Sequence, residues 1–141
     1  MTQEKRTFQQ VTSSAVCQTY VSLLANNFVS FPITQNSIEK VDTLVSNINA
    51  EYFGNKLYIK PEEKAVAYLY FIIKDHPFTD GNKRTAVLAF LVVCNINNLR
   101  PQLNGISLDA LAVYIEKTHE PDPRKVIEAV TDLLFPVIIK K

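Results

Sequence analysis

The sequence predicts an all-α fold: a helical bundle interrupted once by a short β-hairpin flap near residues 52–59. Apolar residues recur at helical spacing through most of the chain. Only three glycines occur, Gly54, Gly81 and Gly105, so each is expected to mark a turn. The seven prolines stand at the edges of apolar runs rather than inside them. With 141 residues, 47% of them hydrophobic, the chain has the size and apolar content of a single domain spanning residues 1–141.

Each element has a local reason. Thr7 to Phe28 carries Val11, Ala15, Val16, Tyr20, Leu23 and Leu24 as one helical stripe, broken by Phe31-Pro32-Ile33. Asn36, with Glu39 three residues on, reads as the capping box of a second helix. Val41, Leu44, Val45 and Ile48 form its inner face, so the N-terminal helices fill residues 7–49. Residues 51–59 differ. Tyr52, Phe53, Leu57, Tyr58 and Ile59 surround Gly54-Asn55, a turn signal between β-formers.

Pro61 suits a first helical position, and Glu62 and Glu63 suit the positive end of the helix it opens. That helix, Glu62 to Lys74, is apolar nearly all round from Ala65 to Ile73, which predicts a central position. A second apolar helix runs from Asn82 to Asn98, and the two predict a buried pair within 62–98. Ser107 caps a helix reaching about Lys117, and Asp122-Pro123 opens the last, within 107–135. The hydrophobic tail Phe135-Pro136-Val137-Ile138-Ile139 packs on the body or meets a partner.

Charge narrows the function classes. A net charge of +1 gives no long-range field to recruit nucleic acid or an anionic membrane. No apolar run approaches the ~20 residues that span a bilayer, and the polar N-terminal segment is unlike a signal peptide. Cys17 and Cys94, far apart in helical contexts, read as buried free thiols of a reducing, cytoplasmic protein, with a disulfide as the alternative. His76 and His119 are the only histidines, so no zinc-type spacing exists. His119 reads as a helix-end cation rather than a catalyst.

One stretch concentrates chemistry: His76-Pro77-Phe78-Thr79-Asp80-Gly81-Asn82-Lys83-Arg84-Thr85-Ala86. His76 ends an apolar helix, where a packed structural histidine is common, yet an imidazole also takes protons near neutral pH. Asp80 suits either a helix cap or a magnesium ligand. Gly81 suits a plain turn or a nest of backbone N–H groups around phosphate. Lys83 and Arg84 sit at the positive end of a helix, an unfavourable place for cations unless an anion joins them. Together these groups fit phosphate-centred transfer.

The string from His76 to Arg84 resembles the Fic/Doc (Fido) family, whose pattern is His-Pro-Phe, any residue, Asp or Glu, Gly, Asn, Gly or Lys, Arg. The likeness extends from Leu57-Tyr58 and Glu62-Glu63-Lys64-Ala65 to about Asn98, roughly a third of the chain. It implies a Fic-type helical bundle with the motif between two central helices. It implies transfer of AMP, or another nucleoside monophosphate, from ATP or another triphosphate to a Ser, Thr or Tyr hydroxyl of a target protein. By position, His76 would be the base, Asp80 would hold Mg²⁺, Gly81 and Asn82 would shape the anion hole, and Lys83 and Arg84 would neutralise phosphate. Phe53, Gly54, Asn55, Lys56, Leu57 and Tyr58 match the flap that docks an extended target segment.

Departures from the pattern open alternatives. Nucleotidyl-transferring members usually have Gly at the position of Lys83 and a second arginine at that of Val87. Lys83-Arg84-Thr85-Ala86 is similar to Doc, the death-on-curing toxin, whose type transfers the γ-phosphate, although Doc usually has Ala at the position of Gly81. A nucleotide-binding module with weak catalysis is the further alternative. No Ser or Thr is followed by Glu at the spacing of the family's inhibitory helix, so a separate antitoxin protein is the expected regulator, if any.

Overall fold

A computed structural model describes residues 8–52, 55, 56, 58, 60–103 and 105–136. In chain order the elements are α1 (Ser13–Ala25), α2 (Gln35–Ile48), β1 (Glu51–Tyr52), β2 (Asn55–Lys56), α3 (Pro61–Asp75), α4 (Asn82–Ile96), α5 (Leu108–Lys117) and α6 (Pro123–Leu134). The described residues are thus predominantly helical. The strands form one antiparallel ladder, Glu51 opposite Lys56 and Tyr52 opposite Asn55. Residues 53, 54, 57 and 59 of the expected flap lie outside the described residues.

The helix ends correct the sequence reading. The first helix begins at Ser13, not near Thr7, because the Thr12 hydroxyl accepts a hydrogen bond from the Ala15 N–H and its backbone is extended. It stops at Ala25, short of Phe28. Asn26 is the C-cap, Asn27 turns left-handed at φ 62°, and the Phe28 N–H returns to the Leu23 carbonyl at 2.9 Å. Helix α4 ends the same way, with Asn98 left-handed and Leu99 N–H bonded to the Cys94 carbonyl at 2.8 Å. Each is a Schellman closure in which Asn stands where Gly is commoner. For α2 the cap is Thr34, whose hydroxyl accepts from Ser37 N–H, and Asn36 lies inside the helix. Ser107, Asp122 and Pro61 take the positions expected of them.

Helix α3 is the centre, packed against α2, α4, α5 and α6. Ala65 to Leu69, Ile72 and Ile73 are fully buried, so its uniform apolarity has partners on every side. Even Lys64 is buried, with its ammonium 4.8 Å from the centre of the Phe8 ring. The Tyr68 hydroxyl donates to the Val11 carbonyl at 2.6 Å and accepts from Asn49 at 3.1 Å, joining α3 to the N-terminal segment and the end of α2. Helix α4 is not enclosed in the same way. Its Ala86, Ala89, Phe90 and Val93 are buried, but Leu88, Leu91, Val92 and Ile96 form an exposed apolar stripe. The expected buried pair is therefore one enclosed helix and one half-covered neighbour.

Phe135 packs against Phe90, centroids 6.4 Å apart, which places the start of the hydrophobic tail on the body. Residues 137–141 lie outside the described residues. Both cysteines are free, Cys94 buried and Cys17 half-buried. No described helix is long and apolar enough to cross a membrane.

Candidate active site

The motif loop joins α3 to α4. Proline disfavours the α conformation in the residue before it, so α3 must stop before Pro77. His76 does so as the C-cap, left-handed at φ 46° and ψ 58°, and its side chain is exposed. Phe78 then fixes the loop to the core. It is 3% exposed and stacks on Tyr20, centroids 4.3 Å apart and planes within 6°. Tyr20 in turn donates its hydroxyl to the Phe31 carbonyl. Burial first and the Asp80 carboxylate second push the Tyr20 pKa up, which keeps that hydroxyl a donor.

Asn82 closes the loop on itself. Its side-chain oxygen accepts from the Phe78 N–H at 2.9 Å, and its side-chain NH₂ donates to the Phe78 carbonyl at 2.8 Å. Both ends of the amide hold the backbone, so Asn82 shapes the turn. Gly81 is the N-cap of α4 at φ 76°, and a Cβ there would lie 2.3 Å from Val29 Cγ1. Positive φ and close approach both demand glycine. A glycine also offers no side chain to cap the helix, and none caps α4. Its first N–H groups therefore open toward the loop, as an anion-binding terminus requires.

Asp80 to Arg84, with Phe28, line a cleft of about 340 Å³ whose far wall is Asp109, Ala112 and Val113 of α5. Asp80 is exposed at its edge, and the Arg84 guanidinium lies 5.2 Å from the centre of the Phe28 ring. Lys83 is already paired. Its Nζ is 2.9 Å from Glu116 Oε2 near the end of α5. That hydrogen bond is the largest influence holding the Glu116 carboxyl below the usual range, ahead of the charges of Lys83, His76 and Lys117. The expectation that Lys83 and Arg84 lack an anion is thus corrected for Lys83, whose counter-charge is Glu116.

The structure therefore gathers Asp80, Gly81, Asn82, Lys83 and Arg84 on one cleft and leaves His76 at the other end of the loop, outside the cleft lining. Of the expected docking residues, Phe53, Gly54 and Leu57 lie outside the described residues, while Asn55 and Lys56 form β2. Tyr58 is buried. Its side chain is 3% exposed, edge-on to Phe71 at 6.3 Å, and anchors the segment from inside. His119 is exposed just beyond α5, whose C-cap is Thr118. Phe28, Asp109 and Glu116 were not read as site residues. Asp109, Ala112, Val113 and Glu116 share one face of α5 by helical spacing, but nothing local reveals which element that face meets.

A scan against family models matches residues 8–94 to the Fic/DOC family. The chain belongs to the Fic/DOC family. The match covers more than half of the chain and reaches back through α2 and α1, well upstream of the likeness legible around the motif. Comparison with curated proteins and with solved structures found no match. Membership in the Fic/DOC family implies a Fido-domain transferase.

Proposed function

We propose that this Fic/DOC chain transfers AMP, or another nucleoside monophosphate, from ATP or a related triphosphate to a Ser, Thr or Tyr hydroxyl of a target protein. The observation that carries the reading is the uncapped, glycine-initiated N-terminus of α4 opening on a cleft with Asp80 and Arg84, on the loop that begins with exposed His76. His76 takes the hydroxyl proton, the hydroxyl oxygen attacks the α-phosphorus, and pyrophosphate leaves. The first N–H groups of α4, together with Arg84, offset charge on the phosphates. Asn82 holds the loop in the shape that makes this possible.

Asp80 suits Mg²⁺. It is an exposed carboxylate at the cleft edge, and hard cations of this size take one or two carboxylates plus phosphate oxygens. Among the described residues there is no group of three or more metal-ligating side chains, which suits an ion completed by phosphate and water. Bound there, the ion would polarise phosphate oxygens. The antiparallel strands Glu51–Tyr52 and Asn55–Lys56 would offer an edge for an extended target segment, with Tyr58 as an internal anchor. A separate antitoxin protein remains the proposed regulator.

Transfer of the γ-phosphate is the second reading, and Val87 favours it. This half-buried side chain packs against the core where nucleotidyl-transferring members carry a second arginine. Incubation of the protein with heat-inactivated cell lysate and ATP labelled at the α or the γ phosphate separates the two. Protein-bound α label means nucleotidyl transfer, and γ label alone means phosphoryl transfer. Either should vanish with His76→Ala, and the absence of both with the wild type would refute a protein-modifying transferase.

A further inference from the structure

Helix α5 sets two carboxylates opposite the cations of α4. Asp109 lines the cleft, and Glu116, two helical turns on by spacing and on the same face, bonds Lys83 Nζ at 2.9 Å. The two partners differ in freedom. The main chain at Glu116 is held by Lys74, whose Nζ donates to the Glu116 carbonyl at 3.3 Å and the Thr118 carbonyl at 2.8 Å. Lys83 reaches Glu116 on a four-carbon stem from the second position of α4 and can swing without moving backbone. Their side chains are 44% and 32% exposed, so the bond is screened and weak enough for a second anion to take over.

We propose that Glu116 is a resident competitor for the phosphate site: it keeps the Lys83 ammonium, on the cleft wall, paired with a carboxylate, and an incoming polyphosphate must take Lys83 from it. This inference rests on the phosphate-site reading above but not on which group is transferred. Lys83 is then a reserve cation, released only to a ligand that outcompetes the Glu116 carboxylate. A glutamate is ionised at neutral pH in any case, and the bond to Lys83 moves its titration further down. Arg84, over Phe28, remains on the cleft in either state.

Calorimetric titration of inorganic tripolyphosphate against the wild type, Glu116→Gln, Lys83→Gln and the double variant tests the competition. Glu116→Gln should bind roughly two- to fivefold more tightly, the range expected when an exposed pair no longer has to be broken. The gain should disappear in the Lys83→Gln background. Asp109→Asn, which removes a cleft charge without freeing Lys83, should give a smaller gain that survives in that background. If Glu116→Gln folds poorly, Glu116→Asp serves instead, since its shorter reach weakens the same bond. Unchanged or weaker binding by Glu116→Gln, or a gain that persists without Lys83, overturns the proposal and leaves the phosphate site standing. Tripolyphosphate binding to none of the proteins overturns both.

Discussion

Gly81 shows how one residue joins backbone, packing and chemistry. Its φ of 76° is left-handed, and a methyl group on its Cα would sit 2.3 Å from Val29 Cγ1, which leaves no room for alanine. Gly81→Ala is expected to cost about 1–3 kcal/mol through backbone strain and displacement of Val29. It should also weaken phosphate binding, because the first turn of α4 would shift. Urea denaturation and phosphate titration of the same variant check both effects. Doc-type members usually carry Ala at this position, so the close approach of Val29 marks a real departure from them. The thiols give a second expectation. Burial first, then Glu62, push the Cys94 pKa to about 12, so its reactive thiolate is scarce at neutral pH. Alkylation of the native protein should therefore modify Cys17 well before Cys94, and denaturation should abolish the difference. The motif residues were legible because their chemistry is contiguous in the chain. Glu116 was not, because it meets Lys83 across 33 residues and pairing at that range leaves no local signal.

Helices were legible where apolarity or a cap stated them plainly, as with α3 behind Pro61 and α5 behind Ser107. Their ends were less so. Asn26-Asn27 and Asn97-Asn98 are stops because the second Asn turns left-handed, a role more often signalled by glycine. The amphipathic character of α4 was hidden for another reason. Leu88, Leu91, Val92 and Ile96 are as apolar as the residues it buries, so hydropathy could not separate its faces. Mutation can. Phe90→Ala should cost about 3–5 kcal/mol because the ring is fully buried against the core. Leu91→Gln, one residue later and 40% exposed, should stay within roughly 1 kcal/mol of the wild type. Equal losses in thermal or urea unfolding would mean that the stripe is covered in solution.

At the scale of the whole molecule, α5 makes the loop between α3 and α4 a braced span. Lys74 in the last turn of α3 holds the end of α5 through two main-chain carbonyls, and Lys83 at the start of α4 meets Glu116 from the other side. These tie points flank His76 and Gly81, so the distance between His76 and the N-terminus of α4 depends on α5 as well as on the motif. The carbonyls lie at the end of α5, where intrahelical donors run out, and the ammonium also suits a helix C-terminus. Lys74→Met keeps most of the apolar stem and removes the donors. It should loosen the end of α5 locally rather than unfold the core, because α3 is held in the core chiefly through its own buried Val66, Tyr68, Leu69 and Ile72. Hydrogen exchange should accelerate by about tenfold at the last turn of α5, the order expected for losing charge-assisted bonds, while the middle of α3 keeps its protection. Transfer activity should fall with it, as the span between His76 and Gly81 loses its brace. Unchanged exchange at α5 would show that the Lys83–Glu116 pair holds the span alone.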